Sequence, residues 1–178
     1  MIINQTYLKK YSPIPLNYNL AEVMNYVGVA EKIWVKPLIG YDLFDEIEEQ
    51  VENNTVSEEN ATLLTEGGLW QYLAFATVLE SLPMIWSHIS EVGITKGKSD
   101  NSDSLDLKDM TYVSQHLRNQ VEVLKDQLKK WICEHYMYYP KADVCACGCD
   151  CCNRNPKLNA PNPMNELYTT LRKITDIK

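Results

Sequence analysis

Five cysteines crowd into one short stretch near the end of the 178-residue chain, where they concentrate more potential chemistry than any other segment. Thiolates at this density can bind a soft metal such as zinc, and the small residues Ala146 and Gly148 would let the backbone wrap around an ion. The candidate ligands are Cys145, Cys147, Cys149, Cys151 and Cys152.

The spacing of this cysteine cluster does not single out one chemical state. Structural zinc sites use C-x₂-C pairs, whereas C-x-C-x-C-x-C-C sends alternate side chains of an extended segment to opposite faces. A zinc clip, reduced thiols in a packed or flexible loop, and disulfides within or between subunits all stay open. An intracellular origin favours reduced thiols, and the sequence implies no cofactor other than this possible zinc.

Carboxylates and histidines give a weaker signal for chemistry. The segment 41–66 is strongly acidic and contains no Lys or Arg, and within it Asp42 and Glu46 stand one helical turn apart. No histidine or basic partner accompanies them, so a solvated face explains them better than paired catalysis. His88 and His135 lie on apolar stretches and are interpreted as core or interface residues. Without a Walker loop, dinucleotide fingerprint, metalloprotease helix or nucleophile elbow, we expect no enzyme.

The charge of the chain argues against nucleic-acid reading. A net charge of −7 and a pI near 5.0 repel phosphate backbones. Residues 154–178 are locally basic, opposite in sign to the acidic segment 41–66. Such complementary ends suit self-assembly or docking, although a solvated surface explains them equally well.

Hydrophobic periodicity predicts an all-α protein. Residues 1–19, with Pro13 and Pro15, are expected to form an extended arm or short strand. A first helix begins near Leu20 and ends at or just before Lys36, ahead of Pro37. A second, amphipathic helix starts at Tyr41, and Ser57 opens a short third one.

Two long helices complete the predicted core, which spans residues 20–138. The segment from Leu69 to Val92 is apolar nearly all round, as in a central buried helix, and Pro83 should kink it. A polar loop from Gly93 to Ser104 leads to an apolar seam between Met110 and His135, predicted to be a helix of ~45 Å. We expect these two helices to be antiparallel, and no stretch is clean enough to span a membrane.

The remaining residues 139–178 form an irregular, Cys-rich tail in this interpretation. Aromatic residues that are apolar in part and polar in part favour interfaces, so the Tyr cluster before Pro140 is a candidate contact surface, with ordinary packing on the core as the alternative. The candidate interface residues are Tyr136, Tyr138, Tyr139, Leu167 and Tyr168.

Several segments, taken in order, resemble one known family. They are LKKYSPIPLNYN, IWVKPLIGYDLFDEI, SEENATLLTEGGLWQYLAFATVLESLPMI, and ISEVGITKGKSDNSD leading into a long helix that ends QLKKWICEHY. Over residues 8–138 the chain is similar to the small helical head-to-tail connector (adaptor) proteins of tailed bacteriophages, especially those of crAss-like phages of Bacteroides-type hosts. The resemblance does not extend to the cysteine cluster.

This resemblance implies a structural virion protein at the capsid–tail junction, assembled in the bacterial host cytoplasm. Family members form homo-oligomeric rings, commonly of twelve copies, which stack below the portal protein and extend the channel for the genome. By this resemblance Asp42, Glu46 and Glu49 would face passing DNA, and the tail from Pro140 would contact the portal or neighbouring rings. The alternative hypothesis is a cytosolic metal-binding helical protein that uses the cysteine cluster.

Overall fold

The structure is a computed structural model that describes residues 1–14, 20–87, 89–90, 93–94 and 107–143. It divides the chain into two compact units, Met1–Val144 and Cys145–Lys178, and the second unit lies outside the described residues. Within the first unit the described residues are mostly helical, which confirms the all-α class. The helices are α1 (Gln5–Tyr11), α2 (Ala21–Met24), α3 (Val27–Ala30), α4 (Lys36–Ile39), α5 (Tyr41–Glu52), α6 (Glu58–Thr65), α7 (Leu69–Ser87) and α8 (Leu107–Glu134).

The N-terminal segment is helical, whereas the sequence favoured an extended arm or short strand. The Asn4 side chain accepts a hydrogen bond from the Tyr7 N–H and caps α1. Ile2, Ile3 and Leu8 are buried in the main core. Burial of these side chains against α7 gives this short segment a stability that its local sequence does not supply.

The first predicted helix is broken into pieces and runs past Pro37. A π-helical turn, Glu31–Val35, joins α3 to α4. Pro37 lies in the first turn of α4, where a missing N–H costs no helical hydrogen bond, so it does not end the helix as expected. The chain turns instead at Gly40, whose φ of 92° is accessible to glycine at little cost.

Helices α5 and α6 follow the sequence closely. α5 ends at Glu52, and the next two residues are Asn53, its C-cap, and Asn54, which adopts a positive φ of 55°. Ser57 caps α6 by accepting a hydrogen bond from the Asn60 N–H. These local capping groups explain why the boundaries of both helices were predictable.

The central helix α7 is buried along most of its length and continues through Pro83 to Ser87. Its internal hydroxyls bond to its own backbone: Thr77 Oγ1 donates to Leu73 O, and Ser81 Oγ donates to Val78 O. The helix ends before Val92, the predicted end. A two-residue antiparallel pair follows, β1 (Ile89–Ser90) with β2 (Gly93–Ile94).

Helix α8 provides the second long element and packs most extensively on α7. Its buried stripe consists of Leu117, Val121, Leu128 and Ile132. After α8 the chain stays on the first unit, because the Asp143 N–H donates to Ile39 O at 3.1 Å. Residues 139–143, which the sequence assigned to the tail, therefore pack against the helical core.

Candidate functional site

A groove between α7 and α8 is the clearest candidate interaction surface of the described residues. Its cavity measures about 330 Å³. Phe75, Val123 and Leu124 supply apolar surface, and four carboxamides with one imidazole surround it. The polar lining residues are Gln71, His116, Asn119, Gln120 and Gln127. We refer to these eight residues as the α7–α8 groove.

The groove exists because α8 carries two stripes. One stripe turns toward α7 and is buried, as described above. The other stripe, about a quarter to a third of a turn around the helix, includes His116, Gln120, Val123 and Gln127 at helical spacing. No residue lining the groove is charged, and Val123 remains 56% exposed. An uncharged, partly apolar helix face of this kind is typical of a contact surface.

A second cavity, of about 640 Å³, lies beside α1. Tyr7, Tyr11 and Trp70 form its aromatic wall, and the Tyr7 ring stacks on Trp70 at 3.9 Å between centroids. Trp70 Nε1 also donates to Ile2 O at 2.8 Å. These contacts hold the N-terminal segment in place, so we assign them a structural role.

The predicted acidic residues of α5 do not share one environment. Asp42 and Glu49 are exposed and lie on the outer stripe of the helix. Glu46 is half-buried and turns toward the end of the described chain, where Lys141 Nζ approaches its Oε2 at 2.5 Å. Of these three residues, Asp42 and Glu49 are therefore exposed, and Glu46 is not.

Glu46 also belongs to a partly buried hydrogen-bond network. Asn60 Nδ2 donates to Glu46 Oε1 at 3.2 Å and to Gln50 Oε1 at 2.9 Å. The hydrogen bond from Lys141, ahead of the one from Asn60, lowers the pKa of Glu46 below its ordinary value. This carboxylate links α5, α6 and the segment after α8.

The three candidate interface tyrosines also differ in their exposure to solvent. Tyr139 is only 4% exposed, and its hydroxyl donates to Glu59 O at 2.5 Å. Burial raises its pKa to about 12. Tyr138 is 65% exposed and Tyr136 is half-buried. Tyr139 is thus part of the core, while Tyr138 offers surface for a partner.

The cysteine cluster, Leu167 and Tyr168 lie outside the described residues. Cys133 on α8 is described and half-buried. Among the residues that the structure describes, no group of three or more His, Cys, Asp or Glu side chains could hold a metal ion. His135 stacks on Trp131 at 4.2 Å, and its Nδ1 lies 2.9 Å from Trp131 O. This packing agrees with the interpretation of His135 as a core or interface histidine.

Sequence reasoning missed Glu31. It lies in the π-helical turn, is almost fully buried, and accepts the Ile2 N–H at 2.8 Å through Oε1. Burial raises the pKa of this carboxyl above its ordinary value. Its partner comes from the start of the chain, so no local spacing could reveal the contact.

The described helices include none long and apolar enough to cross a membrane. Together the groove, the exposed outer stripe of α5 and the helical core define a helical protein with surfaces suited to contact. Residues 35–152 match DUF6712, a family of unknown function, and the chain belongs to this family. Neither a curated protein nor a solved structure matches the chain.

Proposed function

We propose that the chain is a structural virion protein that forms a ring below the portal, joins capsid to tail and extends the DNA channel. The observation that carries this proposal is the ordered resemblance of residues 8–138 to head-to-tail connector proteins. The segments that bear the resemblance contain all of α4 and α6, most of α7, and parts of α1, α5 and α8. The function needs surfaces for neighbours and no catalytic group.

The proposed frame is an antiparallel pair of α7 and α8. A Cβ on Gly67, just before α7, would lie 3.0 Å from the Trp131 ring near the end of α8. Further along α7, Phe75 lines the groove with His116, from the first half of α8. The start of α7 is thus near the end of α8, which supports opposite directions. Such a pair makes a rigid wall suited to repetition around a ring.

Acidic side chains suit the proposed DNA channel. On the outer stripe of α5, Asp42 and Glu49 are exposed and would repel phosphates, so that DNA could slide without binding. Glu46 would contribute less, because Lys141 neutralises it. In this proposal the outer stripe of α5 faces the channel and gives it net negative charge where the genome passes.

The proposal is tested by native mass spectrometry of the purified chain, alone and mixed with the portal ring of the same virion. We expect a closed ring of about twelve copies, the number implied by the family resemblance, or a stable complex with the portal. A chain that remains monomeric and ignores the portal would contradict the proposal. The reducing agent is kept in every sample, so that the cysteines cannot create covalent oligomers.

The alternative, a metal-binding helical protein, draws on the cysteine cluster. It predicts stoichiometric zinc in the same mass spectrum, and cobalt substitution should give the absorption bands of thiolate ligation. The ring proposal predicts instead that a chelator leaves assembly unchanged. Tightly bound zinc on a chain that never assembles would favour the alternative.

A further inference from the structure

Two apolar surfaces of the first unit lie on opposite sides of α7. Gln71 and Phe75 line the α7–α8 groove on one side. Glu80 accepts a hydrogen bond from Trp34 Nε1 at 2.9 Å, which fixes the π-helical turn against another side. Gln71 and Glu80 are about two and a half turns apart along α7, so they point in opposite directions. The groove and the π-helical turn therefore flank α7 from opposite sides.

The surface beyond the π-helical turn projects aliphatic side chains. Val29 is 40% exposed and Ile33 is 55% exposed, and they follow one another at about one helical turn. We call Val29 and Ile33 the aliphatic patch. Branched aliphatic side chains lose solvent-exposed area at little entropic cost, which makes them efficient contacts.

Beside the groove, α8 carries exposed charges of both signs, including Asp126 and Lys130, whereas the aliphatic patch adjoins Lys32. Lys32 is exposed and directly precedes Ile33 in the aliphatic patch. Asp126 is exposed on α8 about one turn after Val123, at the border of the groove. The groove itself carries no charge, so an aliphatic contact there would bury no unpaired ion. A Lys32–Asp126 pair at the rim would orient the contact.

We propose that the aliphatic patch of one copy docks into the α7–α8 groove of the next copy. The contact is head-to-tail, because a different surface is used on each partner, and repetition of such a contact generates a closed ring when its rotation closes. The inference rests on the proposed ring function and names the interface between neighbouring copies. Ile33 meets Phe75 and Val123 of the neighbour, and Lys32 meets Asp126.

Two single variants each disable one side of this contact. Ile33→Asp places a carboxylate next to Asp126 of the neighbour, and Val123→Lys places an ammonium next to its Lys32. Both residues are exposed, so the monomers should keep their helical content and unfolding midpoint. Met137→Lys adds the same charge at an exposed apolar position just after α8 that does not line the groove, and serves as the matched control.

Sedimentation velocity over a concentration series, in reducing buffer, measures the association. We expect the wild type and Met137→Lys to form oligomers, and each disabled variant to associate at least about tenfold more weakly. An equimolar mixture of Ile33→Asp and Val123→Lys retains one intact contact, between the patch of the second variant and the groove of the first. It should associate more strongly than either variant alone, because the other contact sets the new carboxylate of Ile33→Asp opposite the new ammonium of Val123→Lys; this recovery on mixing is specific to a head-to-tail contact.

Other outcomes overturn the inference in distinguishable ways. If both variants assemble like the wild type, neighbours meet elsewhere, and the proposed ring function stands without this contact. If the mixture stays monomeric, the contact is not head-to-tail between these surfaces. If the wild type stays monomeric alone and on the portal ring, both the contact and the ring function fail. The charge swap Lys32→Asp with Asp126→Lys gives an independent check, because the double variant should recover association that each single variant loses.

Discussion

The N-terminal segment buries its apolar side chains, whereas the outer stripe of α8, which holds His116, Gln120, Val123 and Gln127, leaves its apolar side chain exposed. Ile2 and Ile3 are buried in the core, whereas Val123 on α8 faces solvent. The buried backbone of Ile2 is hydrogen-bonded on both sides: Glu31 accepts the Ile2 N–H, and Trp70 donates to the Ile2 carbonyl. A segment outside long helices can be buried only if its backbone polar groups are paired.

The outer stripe of α8 has no such requirement, because the helix pairs its own backbone. Its exposed side chains can therefore be covered or left open without any backbone cost. The N-terminal segment thus stabilises the fold, and the outer stripe of α8 is available to a partner. Substitutions in the two regions should separate folding from assembly.

The largest difference is expected between Trp70→Ala and Val123→Ala. Trp70→Ala removes a buried ring, its stacking on Tyr7 and its hydrogen bond to Ile2 O, and should lower the free energy of unfolding by about 3–5 kcal/mol. Val123→Ala should change it by no more than about 0.5 kcal/mol. Urea unfolding followed by circular dichroism measures both. Similar losses in the two variants would contradict the division between a folding region and an assembly region.

Glu31 tests whether the N-terminal contact depends on an acceptor or on a charge. Glu31→Ala leaves the buried Ile2 N–H without its acceptor and should cost about 2 kcal/mol. Glu31→Gln keeps an acceptor oxygen without the charge. Because burial raises the pKa of Glu31 above 4.5, ionisation weakens the folded state as the pH rises through that raised value.

The gain in stability of Glu31→Gln over the wild type should therefore be larger at pH 7 than at pH 4. Charged groups that act on Glu31 include the Met1 amino group, Glu48 and Lys36, and the attraction to the amino group opposes the trend. Urea unfolding of both proteins at pH 4 and at pH 7 shows whether burial or the attraction of the amino group has the larger effect. A gain that is larger at pH 4 would mean that the amino group, and not burial, dominates.

The sequence predicted those parts of the fold whose causes are local. Ser57 caps α6 with its own side chain, Asn53 follows the last residue of α5, and the apolar seam of α8 follows from spacing within one helix. The N-terminal helix escaped prediction because its apolar partners come from α7, and Gln5–Tyr11 carries little periodicity of its own. Asn4 was the one local signal, as an N-cap residue directly before the helix.

The candidate surfaces were less predictable than the fold for the same reason. Spacing placed Asp42, Glu46 and Glu49 on one acidic helix, but only contacts from Asn60 and Lys141 distinguish Glu46 from its neighbours. Likewise, Tyr138 and Tyr139 are adjacent and chemically identical, and the Glu59 carbonyl decides which one is buried. Long-range partners of this kind cannot be read from a single sequence.

Tyr138 and Tyr139 offer a matched pair for a smaller effect. Tyr139→Phe removes the hydroxyl that donates to Glu59 O and should lower the free energy of unfolding by about 1 kcal/mol. Tyr138→Phe changes an exposed ring and should leave it nearly unchanged. Equal effects in the two variants would show that the segment after α8 is not held to α6 through Tyr139.

The smallest effect is expected at Glu46, where the fold meets the acidic surface of α5. Its folded-state pKa is lowered below 4.5, so the stability that it contributes is present above that value and is lost as the pH falls through the lowered pKa. Glu46→Gln should therefore be less stable than the wild type at pH 7, and the difference should shrink as the pH falls through the lowered pKa. Glu49→Gln, at an exposed position of the same helix, serves as the control and should follow the wild type closely at pH 7. If Glu49→Gln loses as much stability as Glu46→Gln at pH 7, the acidic face acts as one field, and the contacts of Glu46 with Lys141 and Asn60 do not set it apart.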